Sequence, residues 1–245
     1  MEALALPRRR SPGRVALVVL GTIVTVGLIG IFAFMILLTA AQHSFSTTVR
    51  YTNIHTLVVR SGAGGVTLTQ APAGGALVVS ARETESLFSP KVSQRLAGDG
   101  TLSLTASCPG RLHCSVDYVV SVPRDVAIKV SSGFGEIKAT GLSSTSSIQL
   151  GTTAGGIQAT GLSAPAVRLS TGLGDLTATL AQAARRLTAS TVAGGLRLTV
   201  PDTSYAVHVS SGVGHVSDQG VQINPASSRT IDARSSLGDV TIAPR

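Results

Sequence analysis

Apolar and polar residues alternate along most of this chain, on both sides of a short turn that recurs seven times. In one copy the apolar Ile128 and Val130 flank the polar Lys129, and a turn rich in Ser and Gly follows, up to Gly135. A two-residue period predicts a half-buried strand, and glycine permits the backbone angles of a tight turn. Each copy therefore predicts a strand, a turn and a second strand. The glycines that align between copies are Gly64, Gly135, Gly155, Gly174, Gly194, Gly214 and Gly238.

The spacing of these glycines predicts how the copies are arranged. From Gly135 to Gly238 they recur at intervals of 20, 19, 20, 20 and 24 residues. A fixed period of this size is typical of repeat proteins, in which no unit buries enough apolar surface to fold alone. We therefore expect an all-β, β-solenoid-like stack of two-strand repeats over residues 54–245. Residues 81–100, which break the alternation, are predicted to be irregular.

Composition agrees with a thin aliphatic core and limits the range of functions. Only 13% of the residues are charged and 3% are aromatic, and the formal net charge is +8. A nucleic-acid-binding surface would combine a basic stripe with aromatic side chains. Here the basic residues are scattered and aromatic residues are scarce, so no nucleic-acid partner is expected.

The N-terminal region has the pattern of a membrane anchor. Residues 1–14 contain four Arg, and residues 15–41 contain no charged residue. As a helix, this uncharged stretch would reach roughly 40 Å, which exceeds the hydrocarbon thickness of a bilayer. The interpretation is a single-pass plasma-membrane protein with a cytoplasmic tail (1–14), a transmembrane helix (15–41), a linker (42–53) and an extracytoplasmic domain. A cleaved signal peptide is the alternative, although its apolar core would be shorter.

Two cysteines, Cys108 and Cys114, flank a Pro-Gly turn between two predicted strands. Outside the cytoplasm this arrangement favours a disulfide across a hairpin. A zinc site that includes His113 is the alternative, but two Cys and one His are an incomplete ligand set.

The positions directly after the aligned glycines contain the acids Glu136 and Asp175. In a stack they would be separated by a rung with glycine at this position, about 9.6 Å apart, too far to share a calcium ion. The acids then alternate with glycine so that like charges do not stack. His208 and His215 lie near serines, but those serines belong to a turn present in every copy. The sequence therefore predicts no catalytic residue, no metal site and no cofactor.

Polar residues at equivalent strand positions are the candidate binding face. Such a face can be an ordinary solvated sheet surface, or it can bind a protein or an acidic glycan. The residues are Lys129, Lys138, Gln149, Gln158, Arg168 and Arg197.

The run VDYVVSVPRDVAIKVSSGFGEIKAT, residues 116–140, resembles the bacterial putative-adhesin family of membrane-anchored β-repeat proteins, also described as toast-rack domains. The resemblance covers residues 50–245. It implies an all-β stack outside the cytoplasm, with links to adhesion or envelope stress, and it supplies no catalytic residues. The first functional hypothesis is a non-catalytic surface or adhesion module that works through its repeat face or by self-assembly. The alternative is a cell-envelope stress sensor or a regulatory partner of a membrane protein, and the third hypothesis is a polysaccharide-acting enzyme on a β-helix.

Overall fold

The computed structural model of the protein describes residue 21 and residues 24–32, 43–85, 90–108 and 114–245. The chain divides into two compact units, Met1–His43 and Ser44–Arg245. In the first unit residues 24–32 are helical. None of the helical residues described forms a segment long and apolar enough to span a bilayer. Much of the predicted 15–41 helix lies outside the described residues, so the anchor stays a prediction.

The second unit consists of two ten-stranded sheets. In spatial order, sheet A contains β1 (His43–Tyr51), β4 (Leu77–Glu85), β7 (Ser115–Val122), β3 (Val66–Gln70), β9 (Ile137–Thr140), β11 (Ile157–Leu162), β13 (Leu176–Leu180), β15 (Leu196–Val200), β20 (Val240–Pro244) and β17 (Val216–Ser217). Given from the opposite end of the stack, sheet B contains β18 (Gln222–Ile223), β16 (Ser204–Val213), β19 (Thr230–Leu237), β14 (Arg186–Ala193), β12 (Ala166–Leu173), β10 (Ser147–Ala154), β8 (Ala127–Phe134), β2 (Thr56–Ala63), β6 (Thr101–Ser107) and β5 (Lys91–Leu96).

Each sequence repeat forms one rung, defined as a strand of sheet B, a bend at the aligned glycine and the next strand of sheet A. The rungs stack in parallel and in register, so that Ile128 pairs with Ile148, which pairs with Val167. The expected all-β stack of two-strand repeats is confirmed. The strands of sheet B extend to the bend itself, up to Phe134 in β8, so the chain passes between the sheets within two residues.

The core is the layer of apolar side chains between the two sheets. In β8 the burial alternates residue by residue, with Ile128 and Val130 buried and Lys129 exposed. In β9 of the same rung Ile137 and Ala139 are buried. Because neighbouring rungs are in register, each apolar side chain also packs on its equivalents above and below, which supplies the contacts that one rung lacks.

The order of the rungs in space differs from their order in sequence. In the sequence β16 and β17 directly follow the rung of β14 and β15. In the stack, the later strands β19 and β20 lie between these two rungs. The β16–β17 rung is therefore the terminal one. Its strand β16 is further covered only by the two-residue strand β18.

The opposite end of the stack contains the departures from the regular repeat. Residues 43–51, expected to be linker, form β1, and the segment expected to be irregular contains the end of β4 and all of β5. Strands β4 and β5 each pair antiparallel with a neighbour. The prediction failed because these strands lack the Ser/Gly turn by which the repeats were recognised. A disulfide joins Cys108 to Cys114, whose Cα atoms lie 5.8 Å apart.

Candidate functional site

The bends form one edge of the stack, and their glycines are required by the backbone. Gly155 has a φ of 143°, a region that other residues rarely adopt. A Cβ on Gly155 would also collide with the carbonyl oxygen of Gly135 in the preceding rung. The repeated glycines are therefore explained by chain geometry and by close stacking, without a ligand.

The hydroxyl groups three residues before these glycines also have a structural role. The Thr171 Oγ1 donates a hydrogen bond to the carbonyl oxygen of Gly155 at 2.8 Å, and the Ser211 Oγ donates to Gly238 at 2.9 Å. Each bond satisfies a carbonyl at the bend that would otherwise lack a partner. This role explains why the serine near His208 and His215 recurs in the other copies as Ser or Thr.

Two of the three acids that follow the glycines accept a hydrogen bond from the neighbouring rung, and the third, Glu136, pairs with Lys138 of its own rung. The Asp175 Oδ1 accepts from the Gly195 N–H at 2.8 Å, and the Asp239 Oδ1 accepts from the His215 N–H at 2.8 Å. In the stack Glu136 and Asp175 are separated by the rung of Gly156, as the sequence predicted. The described residues contain no group of three or more His, Cys, Asp or Glu side chains that could hold a metal ion.

The two histidines lie on the terminal rung. His208 pairs in register with Asp232, and the His215 Nδ1 lies 3.7 Å from the Asp239 Oδ1. The His215 side chain is almost fully exposed. Neither arrangement presents an activated nucleophile, because the Ser211 hydroxyl already bonds to the Gly238 carbonyl.

The six residues of the candidate binding face lie on two different sheets. Lys129, Gln149 and Arg168 occupy neighbouring strands of sheet B, in register. The other three residues, Lys138, Gln158 and Arg197, belong to sheet A. They therefore form two separate rows on opposite outer faces of the stack, one on each sheet.

The two outer faces differ in charge. The outer face of sheet B, which we call the basic face, contains one carboxylate, Asp232, and the cations Lys91, Arg95, Arg60, Lys129, Arg168, Arg186 and Arg234. The outer face of sheet A and its bend instead contain Arg50, Arg82, Lys138, Arg197, Asp117, Glu136, Asp175 and Asp239. Each face contains an ion pair: the Lys138 Nζ is 3.1 Å from the Glu136 Oε2 on sheet A, and the Arg234 Nε is 2.9 Å from the Asp232 Oδ1 on the basic face.

A shallow groove of about 180 Å³ crosses the middle of the basic face. Gly151, which has no side chain, lies at its centre, and Lys129 and Arg168 lie on either side. The two cations are two rungs apart, about 9.6 Å. Sequence reasoning found this pair but missed Arg60 and Arg186. Their positions, an even number of residues from Lys129 and Arg168 in the aligned repeats, were the available signal.

The sequence profile of the family described as Toastrack DUF4097 matches residues 31–243. The chain belongs to the Toastrack DUF4097 family. No curated protein sequence matches this Toastrack chain significantly.

Solved structures resemble this Toastrack chain in fold. A putative cell adhesion protein from Clostridium sporogenes superposes with a TM-score of 0.54 at 12% identity, covering 83% of this chain and 100% of that one. A putative adhesin from Bacteroides fragilis superposes with a TM-score of 0.42 at 11% identity, covering 82% and 97%. At such low identity the first similarity shows the fold alone.

Proposed function

We propose that this protein is a membrane-anchored, non-catalytic surface module whose basic face binds an acidic polysaccharide. The observation that carries the proposal is the charge difference between the two faces. Sheet B presents seven cations and one carboxylate on its outer surface, whereas sheet A and its bend present four of each.

The geometry of the basic face suits a long anionic polymer better than a compact ligand. The face is formed by parallel strands in register, and Lys129 and Arg168 repeat along the stacking direction about 9.6 Å apart. Ser131, Gln149 and Ser170 lie beside them around the groove and can hydrogen-bond to sugar hydroxyl groups. A polymer with regularly spaced carboxylates can contact several of these cations at once, so that weak single contacts add together.

The anchor is part of the same proposal. Residues 15–41 are uncharged and follow a basic tail, which supports insertion with the N-terminus in the cytoplasm and the β-domain outside. That location would expose the basic face to polysaccharides of the cell envelope. The sensor hypothesis stays a prediction, since no described contact favours it.

The test is binding of the purified full-length chain to immobilised polygalacturonate, with neutral dextran as the reference polymer. We expect binding that weakens as salt screens the charges. The double variant Lys129→Glu/Arg168→Glu is expected to lose at least about tenfold in affinity, because it reverses two adjacent cations on the binding face.

The matched control is Lys138→Glu/Arg197→Glu, which makes the same change in net charge on sheet A. It is expected to retain most of the affinity, because long-range charge is screened beyond roughly 10 Å at moderate salt. Equal losses in the two variants would mean that net charge alone attracts the polymer. Binding to dextran as tight as to polygalacturonate would contradict the proposal.

A further inference from the structure

The terminal rung leaves one sheet edge open. The N–H of Ala206 donates to the carbonyl oxygen of Arg229 on the inner side of β16. Successive residues of a strand direct their backbone groups to opposite sides. The N–H and C=O groups of Val207, Val209 and Ser211 therefore point away from β19, to the unpaired edge of the sheet. In residues 114–245, all of which are described, β18 covers this side only at Ser204 and Tyr205.

The core is also incompletely covered at this end. The side chains of Val207 and Val209 on β16 point toward the core but are only half-buried. The equivalent side chains in the next rung, Ile231 and Ala233, are fully buried. Just after the bend, Val216 is 47% exposed, whereas its equivalent Val240 in the next rung is fully buried. Unpaired backbone and exposed apolar side chains therefore occur together on one edge.

This edge lacks the features that usually prevent strand pairing. Strand β16, with the sequence SYAVHVSSGV, contains no Asp, Glu, Lys, Arg or Pro. Charged residues and proline on an edge strand are common protections against pairing. At the other end of sheet B, the edge strand β5 contains Lys91 and Arg95 and directly follows Pro90. One end of sheet B is protected in this way and the other is not.

We propose that a second copy of this chain pairs with the open edge, β16 against β16 in antiparallel orientation. A two-fold axis perpendicular to the sheets relates the copies, so sheet B of one copy continues into sheet B of the other. The contact is self-complementary and brings no like charges of β16 face to face. Because the contact uses the same edge in both copies and only one end of sheet B is open, the assembly closes as a dimer and does not grow into a filament.

The size of the open end is adequate for such a dimer. The eight residues of β16 beyond Ser204 and Tyr205 span about 26 Å, and two sheets packed about 10 Å apart with their outer side chains are roughly 20 Å thick. The open surface is then on the order of 520 Å² per copy. Both copies together bury about 1,040 Å², just above the roughly 1,000 Å² expected of a biological interface.

The test is the mass of the full-length chain in detergent, measured by light scattering with correction for bound detergent. The expected result is a dimer. Val209→Lys places a charge in the pairing surface and is expected to raise the dimer dissociation constant at least tenfold. Val119→Lys is the matched control, because Val119 is exposed on the outer face of sheet A and the variant should stay dimeric. Circular dichroism establishes that each variant is folded.

A second measurement does not depend on a variant. Hydrogen exchange at high and low protein concentration should show the amides of Val207, Val209 and Ser211 more protected at high concentration. A monomeric wild-type chain, a higher oligomer, or a Val209→Lys dimer as stable as the wild type would overturn the proposal. The last outcome would place the contact elsewhere, for example in the N-terminal segment. Polysaccharide binding is not needed for any of these results.

Discussion

Two tyrosines in the core differ in the hydrogen bonding of their hydroxyl groups. Tyr118 and Tyr205 are both almost fully buried, at 1% exposure. The Tyr205 hydroxyl donates to the Pro201 carbonyl oxygen at 3.0 Å. The Tyr118 hydroxyl is buried without a hydrogen-bond partner among the described residues. A buried polar group without a partner is unfavourable, so Tyr118 costs stability at its hydroxyl while its ring contributes to the core.

Replacing Tyr118 by Phe is therefore expected to leave the free energy of unfolding unchanged or to raise it by about 1 kcal/mol. Tyr205→Phe should lower it by about 1 kcal/mol, because it removes a satisfied bond and leaves a carbonyl unpaired. Urea denaturation of the two variants beside the wild type measures both changes. A loss of stability in Tyr118→Phe equal to that in Tyr205→Phe would show that the Tyr118 hydroxyl is satisfied.

Tyr118 also predicts a pH dependence. Burial, with a smaller contribution from the charge of Glu83, raises the pKa of Tyr118 to about 12, from an ordinary value of 10.0. The folded state therefore holds the phenol proton more tightly than the unfolded state does. The stability that this proton contributes is present below pH 10 and is lost as the pH rises from 10 to about 12. Denaturation midpoints across this window should fall less steeply in Tyr118→Phe than in the wild type.

At the scale of the element, the bend is the unit that the repeat preserves. Its glycine packs against the glycine carbonyl of the preceding rung in the stack, and its Ser or Thr hydroxyl donates to that same carbonyl oxygen. The acids Asp175 and Asp239 accept a hydrogen bond from a backbone N–H of the following rung. The residues on either side of the bend glycine vary together. A large apolar residue before the glycine occurs with an acid after it, as in Phe134 and Glu136. An alanine before the glycine occurs with a second glycine after it, as in Ala154 and Gly156. This alternation becomes regular only in spatial order, because the rung of Leu237 lies beside that of Ala193.

Gly155→Ala tests the stacking of the bends. The substitution forces an alanine into a positive φ and its Cβ against the Gly135 carbonyl oxygen. Strain of this kind costs about 1–3 kcal/mol, and overpacking adds a similar amount, so we expect a loss of at least about 3 kcal/mol in unfolding free energy. The control is Gly98→Ala, where a Cβ meets no atom within 4 Å and the change should be small. Chemical denaturation distinguishes the two variants, and equal effects would contradict the stacked geometry.

The limits of sequence reasoning are also clearest at this scale. The strands from β8 to β15 were predictable, because alternation and the Ser/Gly turn coincide in each of them. Strands β4 and β5 were only partly predictable, since they pair antiparallel across the end of the stack and have no bend glycine. Glu136 and Asp175 were placed correctly two rungs apart. The hydrogen bond between Asp175 and the Gly195 N–H of the next rung depends on which backbone lies beside the carboxylate, and no local pattern in the sequence reveals that.

At the scale of the whole molecule, the order of the rungs determines which surfaces are exposed. The last rung in the sequence, β19 and β20, is internal, and the preceding one, β16 and β17, is terminal. An internal rung has a bonded strand on both sides, whereas the terminal rung has one on a single side over most of its length.

Hydrogen exchange in dilute solution tests this order. The amides of β19 (Thr230–Leu237) should be protected to nearly the level of global unfolding, and the outward amides of β16 should exchange far faster. A stack in simple sequence order predicts the reverse, with the last rung frayed. Slow exchange in β16 combined with fast exchange in β19 would therefore contradict the rung order described here.

The sequence by itself determined that the domain is a stack of two-strand rungs, because the two-residue period, the glycine turns and the 20-residue spacing are local features. It also determined the candidate cations at Lys129 and Arg168, which recur at one position of the repeat. Only the tertiary structure decided that the candidate binding residues lie on two separate faces and that the charged residues of the sheet B face are nearly all cations. It also decided that the last rung in the sequence lies inside the stack. These properties depend on which strands become neighbours, and pairing between distant segments is set by the packing of the whole chain.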